Sequence, residues 1–286
     1  MSCAPLTLTR ALADFPIGNV PLCEHQAAVV ATCRLPGIQH HPAAWLAIAD
    51  LNLLASSGPR TLLAACGTPL AWLGKTPDLA CPVTAAASFL IVHPWDLLRA
   101  NEQFVAALTA SDIQGEVHCS AVIEGRVILG PGSRILPGVL IEGNVILGAK
   151  CKLGPNCYLR GNTSVGDQCH IGQAVEIKNS ILLAGTNVGH LSYVGDSILG
   201  AKVNFGAGTI VSNLRHDGKN HRSMVAGELL DTGRRKLGAI IGDGVHTGIH
   251  TAIYPGRKLW PGVTTRPGEI VQRDVLADGP APTGKG

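Results

Sequence analysis

Two basic side chains in this 286-residue chain, Arg160 and Lys178, stand 18 residues apart, and Glu124 and Glu142 precede them at the same interval. If the chain coils with that period, the four share one column and the two cations sit in adjacent coils. Neighbouring cations repel unless an anion compensates them. One reading is a phosphate site, for which Arg supplies a bidentate fork and Lys a point charge. The other is that Glu142 pairs with Arg160 while Lys178 is solvated. His190 lies between Gly189 and Leu191, where the regular pattern slips. Such a break can turn an imidazole outward to act as a general base; the competing reading is a structural histidine. Tyr193 and Asn204 follow within one coil's length. The run Asn204-Phe205-Gly206-Ala207-Gly208-Thr209 places glycines where backbone can approach a ligand, but it has neither Rossmann spacing nor a P-loop lysine. None of the nine cysteines forms Cys-x-x-Cys, so neither a zinc site nor a disulfide framework is expected.

The element that must hold these residues is a repeat. An aliphatic residue recurs at every sixth position: Val117, Ile123, Leu129, Ile135, Ile141, Leu147, Leu153, Leu159, Val165, Ile171, Ile177 and Leu183. Glycine often follows it, as at Gly130, Gly148, Gly154, Gly166 and Gly172, and a small or β-branched residue stands four positions on. Short strands alternating with tight turns give this pattern, and three of them make a triangular coil stacked on the next at parallel-strand spacing. Cys151, Cys157 and Cys169 occupy the small inward slot, where cysteine acts as a small hydrophobe. The period slips near Gly189, resumes at Leu199, Phe205 and Val211, and returns at Ile241, Thr247, Ile253, Leu259 and Thr265. Between these, 213–238 reads as a polar loop leaving the coil, with Arg215, His216, Asp217, Lys219, His221, Arg222, Arg234, Arg235 and Lys236. Long insertions in repeats are often functional.

Composition agrees with strands and turns. Charged residues are 15%, aromatics 4%, and 35 residues are glycine. A net charge of +3 without basic runs gives no case for nucleic acid. No apolar stretch approaches the ~18–20 residues of a membrane span, and Met1 to Pro5 lacks the features of a signal peptide, so the cytoplasm is the expected location. Residues 1–110 lack the period and read as a small α/β domain, with helices at Leu46–Ala55 and Pro94–Leu108. A β-repeat domain spans 111–276, and 277–286 is expected to be a disordered Pro/Gly-rich tail.

Taken with the repeat, Gly189-His190-Leu191-Ser192-Tyr193-Val194-Gly195-Asp196, the Asn204 to Thr209 run and Asn213 resemble the acetyltransferase half of bifunctional N-acetylglucosamine-1-phosphate uridyltransferases. Asn213-Leu214-Arg215-His216-Asp217 and Gly233-Arg234-Arg235-Lys236-Leu237-Gly238 are most similar to the archaeal-type sugar-1-phosphate nucleotidyltransferase/acetyltransferase branch. The resemblance covers roughly 115–275. It implies a left-handed parallel β-helix, an exception to the usual crossover handedness, and a homotrimer with active sites between subunits. It implies His190 as catalytic base, Glu176 supporting it, and Arg160, Lys178, Tyr193, Asn204 and Lys219 as sugar-phosphate ligands. Ala207 and Asn213 match positions that meet the acetyl group of acetyl-CoA, the co-substrate; no metal is implied. Leu214 departs from the bacterial pattern, which has Tyr there, and the loop spacing around Lys219 also differs. Arg257, Lys258 and Arg266 are candidates for coenzyme A phosphates or solvated surface. Pro5 to Arg10, Pro16 to Leu22 and Glu24-His25-Gln26 are similar to the opening of sugar nucleotidyltransferases. However, the Gly-rich turn and the Lys-Pro of that opening are missing, and the region is about half the usual length. It reads as a shortened remnant, with Pro94-Trp95-Asp96-Leu97 resembling the helix that links the two halves.

The function implied is acetyl transfer from acetyl-CoA to the amine of a hexosamine 1-phosphate, glucosamine or galactosamine, in nucleotide-sugar biosynthesis. Two alternatives stand beside it: a sugar-1-phosphate nucleotidyltransferase, and a non-catalytic sugar-phosphate-binding scaffold.

Overall fold

The computed structural model describes residues 3–33 and 35–277. It is mainly β and divides into two units. The larger contains Ala4–Thr9, Ile17–Asn19 and everything from Leu97 onward. It is a parallel β-solenoid with three faces. The first face stacks Glu116–Val117, Arg134–Ile135, Lys152–Leu153, His170–Gln173, Asn187–His190 and Asn204–Phe205. The second stacks Val122–Glu124, Leu140–Glu142, Tyr158–Arg160, Glu176–Lys178, Tyr193–Gly195, Ile210–Val211, Ala252–Ile253 and Ile270–Val271. The third runs from Asp112–Ile113 to Lys258–Leu259. Every pair within the three faces is parallel, for instance Ile141↔Leu159↔Ile177↔Val194.

The six-residue period is the interior. Leu129, Ile135, Ile141, Leu147, Leu153, Leu159, Val165, Ile171 and Ile177 are all buried in one continuous core with Cys151, Cys157 and Cys169. Each such aliphatic contributes about 1.5–3 kcal/mol of burial. Val117 and Ile123 are not fully buried, because no coil covers them on the open end of the stack. Thr247 and Thr265 enter the interior because their hydroxyls pair, with Thr209 and Thr251 respectively, both at 2.8 Å. At Gly172 an added Cβ would lie 1.9 Å from the carbonyl oxygen of Gly189 in the next coil, so the stacking distance admits only glycine.

The slip in register falls earlier than the expected Gly189. Val165 pairs with Leu182, not Leu183, so one residue is lost at the corner between Ile177 and Leu182. The same shortening recurs one coil later, where Leu182 pairs with Leu199. Leu182 and Leu183 are both aliphatic, which hides the step in the sequence. The loop after Val211 leaves the coil as expected and carries an antiparallel hairpin, Arg222–Val225 with Glu228–Asp231. The stack resumes when Ile240 pairs with Ile198.

The smaller unit contains Arg10–Pro16 and Val20–Asp96. It has α1 (Leu22–Thr32) and a four-stranded sheet ordered Ile38–His40, Pro69–Leu73, Thr61–Leu63, Pro82–Thr84. Only the last pairing in that sheet is parallel. The helix expected over Leu46–Ala55 is reduced to α2 (Ile48–Leu51). Pairing of Ala44–Trp45 with Phe89–Leu90, and the Ala47 N–H donating to Ser88 Oγ, hold the chain extended up to Ala47. The second expected helix forms as α3 (Pro94–Ala106). Apart from Ala277, the expected tail lies outside the described residues.

Candidate active site

Strand pairing stacks Glu124, Glu142, Arg160, Lys178 and Gly195 in one outward column of the second face. A parallel column two positions earlier holds Tyr158, Glu176 and Tyr193. The side chains interlock across the columns. Arg160 Nε donates to Glu176 Oε1 at 2.7 Å, and Tyr158 donates its hydroxyl to Glu142. The expected alternative, a Glu142–Arg160 pair, is therefore replaced by two diagonal contacts. Lys178 is not solvated either. Its side chain is only 15% exposed, and Nζ donates to both oxygens of Asp196, at 2.9 and 2.8 Å.

Asp196 sits at a corner with φ +50°, and its side chain is 3% exposed. Besides Lys178 it accepts from Asn179 Nδ2 at 3.0 Å and from Asn213 Nδ2 at 2.6 Å. These donors fill the acceptor sites of the carboxylate. The second N–H of Asn213 donates to the Tyr193 hydroxyl at 3.0 Å. With that oxygen already accepting, the Tyr193 O–H proton is free to point at a ligand. Burial pushes the Tyr193 phenol up, with the carboxylates of Asp196 and Glu176 adding to the effect, so it stays a donor. Gly195 makes room for this contact: a Cβ there would fall 2.4 Å from Tyr193 Oη and 2.6 Å from Asn213 Nδ2.

Counting donors shows what remains. Lys178 keeps one N–H, Arg160 keeps its two Nη groups and Tyr193 keeps its O–H without partners among the described residues. On these three side chains the unspent capacity is donor, while Glu176 beside them keeps Oε2 as an acceptor.

His190 ends its strand on the first face and is exposed; its ring makes no hydrogen bond among the described residues. Its carbonyl accepts from Gly208 N at 3.2 Å, and the Ala207 carbonyl accepts from His250 N at 2.8 Å. His190 and Ala207 are thus stacked neighbours, about 4.8 Å apart in the strand-stacking direction. The Ala207 N–H makes no hydrogen bond among the described residues. Asn204 lies on the same face and is exposed, pairing with Asn187 below it. Tyr193 follows His190 around one corner, so the two faces meet between them. Burial, helped by Lys152 and His190, holds His170 below the usual imidazole range.

Some expected residues are placed differently. Glu176 is engaged by Arg160, and among the described residues no hydrogen bond or ion pair joins it to His190, which stands on a different face. Lys219 lies in the exserted loop, where it lines a pocket of 580 Å³ with Arg215, Arg222 and Asp231. No hydrogen bond among the described residues joins it to His190 or Arg160. Lys258 is not solvated: it is 4% exposed and Nζ donates to the Met224 carbonyl at 2.7 Å, tying the hairpin to the coil. Arg257 likewise serves the loop, donating to the Pro255 and Arg222 carbonyls. Arg266 donates its backbone N–H to Glu269. Asp196, Gly195 and Asn179 escaped the sequence reading. An 18-residue step from Lys178 lands on Asp196 but misplaces it, since the shortened coil sets Gly195 above Lys178.

Residues 141–257 match the family described as the GMPPB C-terminal domain. A bifunctional sugar-1-phosphate nucleotidylyltransferase/acetyltransferase from Sulfurisphaera tokodaii is 42% identical over 65% of this chain and 46% of its own length. Two proteins named bifunctional protein GlmU, from Methanococcus maripaludis strains S2 and C7, are 45% and 55% identical. They match over 65% and 59% of this chain and 44% and 41% of their own lengths. Among solved structures, a hexapeptide transferase family protein from Anaplasma phagocytophilum is 18% identical over 54% of this chain and 71% of that one, with a TM-score of 0.25. The chain thus spans about half the length of the curated relatives it matches, and it is over its C-terminal part that it is similar to archaeal bifunctional sugar-1-phosphate nucleotidylyltransferase/acetyltransferases.

Proposed function

We propose that the chain transfers an acetyl group from acetyl-CoA to the amine of a hexosamine 1-phosphate. The observation that carries this reading is the donor-only remainder of Arg160, Lys178 and Tyr193, one corner away from an exposed, unpartnered His190. Three donors, two of them cationic, suit the oxygens of a phosphate. Holding that phosphate fixes where the sugar amine lies, which converts affinity into orientation. His190 takes the proton as the neutral amine attacks the thioester carbonyl, giving a tetrahedral oxyanion. The free N–H of Ala207, one coil away, supports its place as a donor to that oxyanion. Collapse expels the coenzyme A thiolate, which the protonated His190 can reprotonate. Asn204 shares the face of His190 and contacts the sugar. Asn213 reaches the site through Tyr193, and Lys219 adds its charge from the exserted loop. Glu176 acts through Arg160 within the chain and supports the His190 ring at a shared site in the assembly.

The assembly is a homotrimer in this reading. Leu191, Ile210, Ile249 and Ile270 support it, being 62%, 44%, 52% and 57% exposed around the corner that carries the site.

The test is thiol release from acetyl-CoA with a panel of amino-sugar 1-phosphates. Wild type releases thiol with one acceptor, and His190→Ala loses about 10²–10⁴-fold in kcat with an unchanged fold. Full activity in His190→Ala rules the mechanism out.

A further inference from the structure

Behind the phosphate-facing donors lies a set of buried and half-buried polar groups, among them Asp196, Asn179, Glu102 and Arg234, that the chemistry above does not use. Asp196 is held from the rear by Asn179, whose two amide hydrogens divide between Asp196 Oδ1 at 3.0 Å and Glu102 Oε1 at 2.6 Å. Glu102 belongs to α3, and it also accepts from both Nη groups of Arg234 at the base of the exserted loop. The set is electrically balanced: two carboxylates, Glu102 and Asp196, face two cations, Arg234 and Lys178. Helix α3, the corner, the loop end and the site residue Lys178 thus meet through five side chains.

We propose that Asp196 is the positioning residue of the acceptor site, setting which atoms Lys178 and Tyr193 turn toward the substrate, with Glu102 on α3 holding Asp196 in place through Asn179. The proposal rests on the acetyl-transfer reading for its kinetic consequence, but not for its geometry. The logic is one of donors. A carboxylate can face only donors, so Asp196 fixes the Asn213 amide with Nδ2 inward. That same Nδ2 then faces the Tyr193 oxygen, and the phenolic proton has only the substrate side left. Asp196 also takes two of the three Lys178 hydrogens, leaving one. If the carboxylate becomes an amide, Asp196→Asn, one of its atoms becomes a donor facing donors. Asn213 can then turn its Oδ1 to Tyr193 and draw the phenolic proton away from the site. Lys178 loses its counter-charge and its fixed direction. His190, on the other face, is untouched.

The experiment compares wild type, Asp196→Asn and Glu102→Gln as full-length protein in three measurements. The first is binding of inorganic phosphate by calorimetry. The second is ultraviolet titration of Tyr193 in a Tyr158→Phe, Tyr254→Phe background, where it is the only tyrosine. The groups facing that phenol are Asp196, Glu176, Arg160 and Asn213. The third is steady-state kinetics with the acceptor found above. Asp196→Asn is expected to weaken phosphate and raise the acceptor KM by about tenfold or more, with kcat changed far less, and to shift the Tyr193 titration, which the lost Asp196 charge moves down and an Asn213 turned to accept the phenolic proton moves up. Glu102→Gln, which leaves the Lys178–Asp196 pair intact and keeps the protein folded if Asp196→Asn does not, moves all three the same way by less. Unchanged phosphate binding and Tyr193 titration in both variants overturn the proposal, as does a loss confined to kcat. If wild type transfers no acetyl group yet phosphate binding and Tyr193 titration shift as stated, the functional reading fails and the positioning role stands.

Discussion

Gly195 shows how much of the site depends on a single missing methyl group. It stands directly above Lys178 in the column, and the absence of a Cβ lets Tyr193 and Asn213 meet over it. Gly195→Ala must displace one of them, since neither a phenol oxygen nor an amide nitrogen tolerates carbon at 2.4–2.6 Å. We expect an acceptor KM raised about tenfold, equivalent to about 1.4 kcal/mol, with a melting temperature close to wild type. A melting temperature far below wild type would show that the glycine serves the coil rather than the site. The buried thiols answer a different question. Burial pushes Cys157 up to about 12, so it is inert filler in the column of small inward residues.

Among the elements, the exserted loop carries a built-in sensitivity to pH. His221 is 2% exposed, and its Nε2 meets the carbonyl of Asn213 at 2.9 Å, while Thr232 donates to its own carbonyl. Burial lowers its pKa; the hydrogen bond to Asn213 works in the opposite direction and is smaller. With the folded value below the unfolded one of about 6.5, the loop's stability is fully present above about pH 6.5 and is lost as pH falls through the folded value. Protection factors across 213–238, taken relative to the intrinsic exchange rate at each pH, should therefore be lower at about pH 5 than at pH 8, and His221→Asn should flatten that difference. Equal protection at both pH values would contradict it. In the smaller unit, Asp50 clamps a turn by accepting from the N–H groups of Ala86, Ala87 and Ser88. Burial alone would raise its pKa, but these donors together lower it, so its contribution is present above about pH 4 and lost in acid.

For the molecule as a whole, the proposed trimer makes the apolar corner an experimental handle. Leu191 and Ile249 are exposed beside His190 and Ala207, where isolated side chains this apolar find no cover from the chain itself. Leu191→Asp together with Ile249→Asp should yield a monomer by sedimentation and abolish thiol release, leaving the circular dichroism of the solenoid intact. A trimer that survives both charges would move the interface elsewhere.

Much of this was written in local pattern. A coil that repeats every 18 residues puts its inward aliphatics and outward charges at fixed intervals, so the interior from Leu129 to Ile177, the Arg160–Lys178 column and the departing loop could all be read along the chain. The slip between Ile177 and Leu182 could not, because adjacent leucines at 182 and 183 fit either register and only strand pairing chooses between them. Which carboxylate meets which cation was equally closed to reading. Glu142, Glu176 and Asp196 all lie within one coil of Arg160 or Lys178, and packing across columns, not interval, assigns Arg160 to Glu176 and Lys178 to Asp196. Glu102 lies furthest from any pattern. It reaches Asn179 and Arg234 only because α3 folds back on the stack, and no periodicity links residues so distant in the chain. Periodic burial is a one-dimensional signal, whereas the pairing of charges is settled by three-dimensional packing.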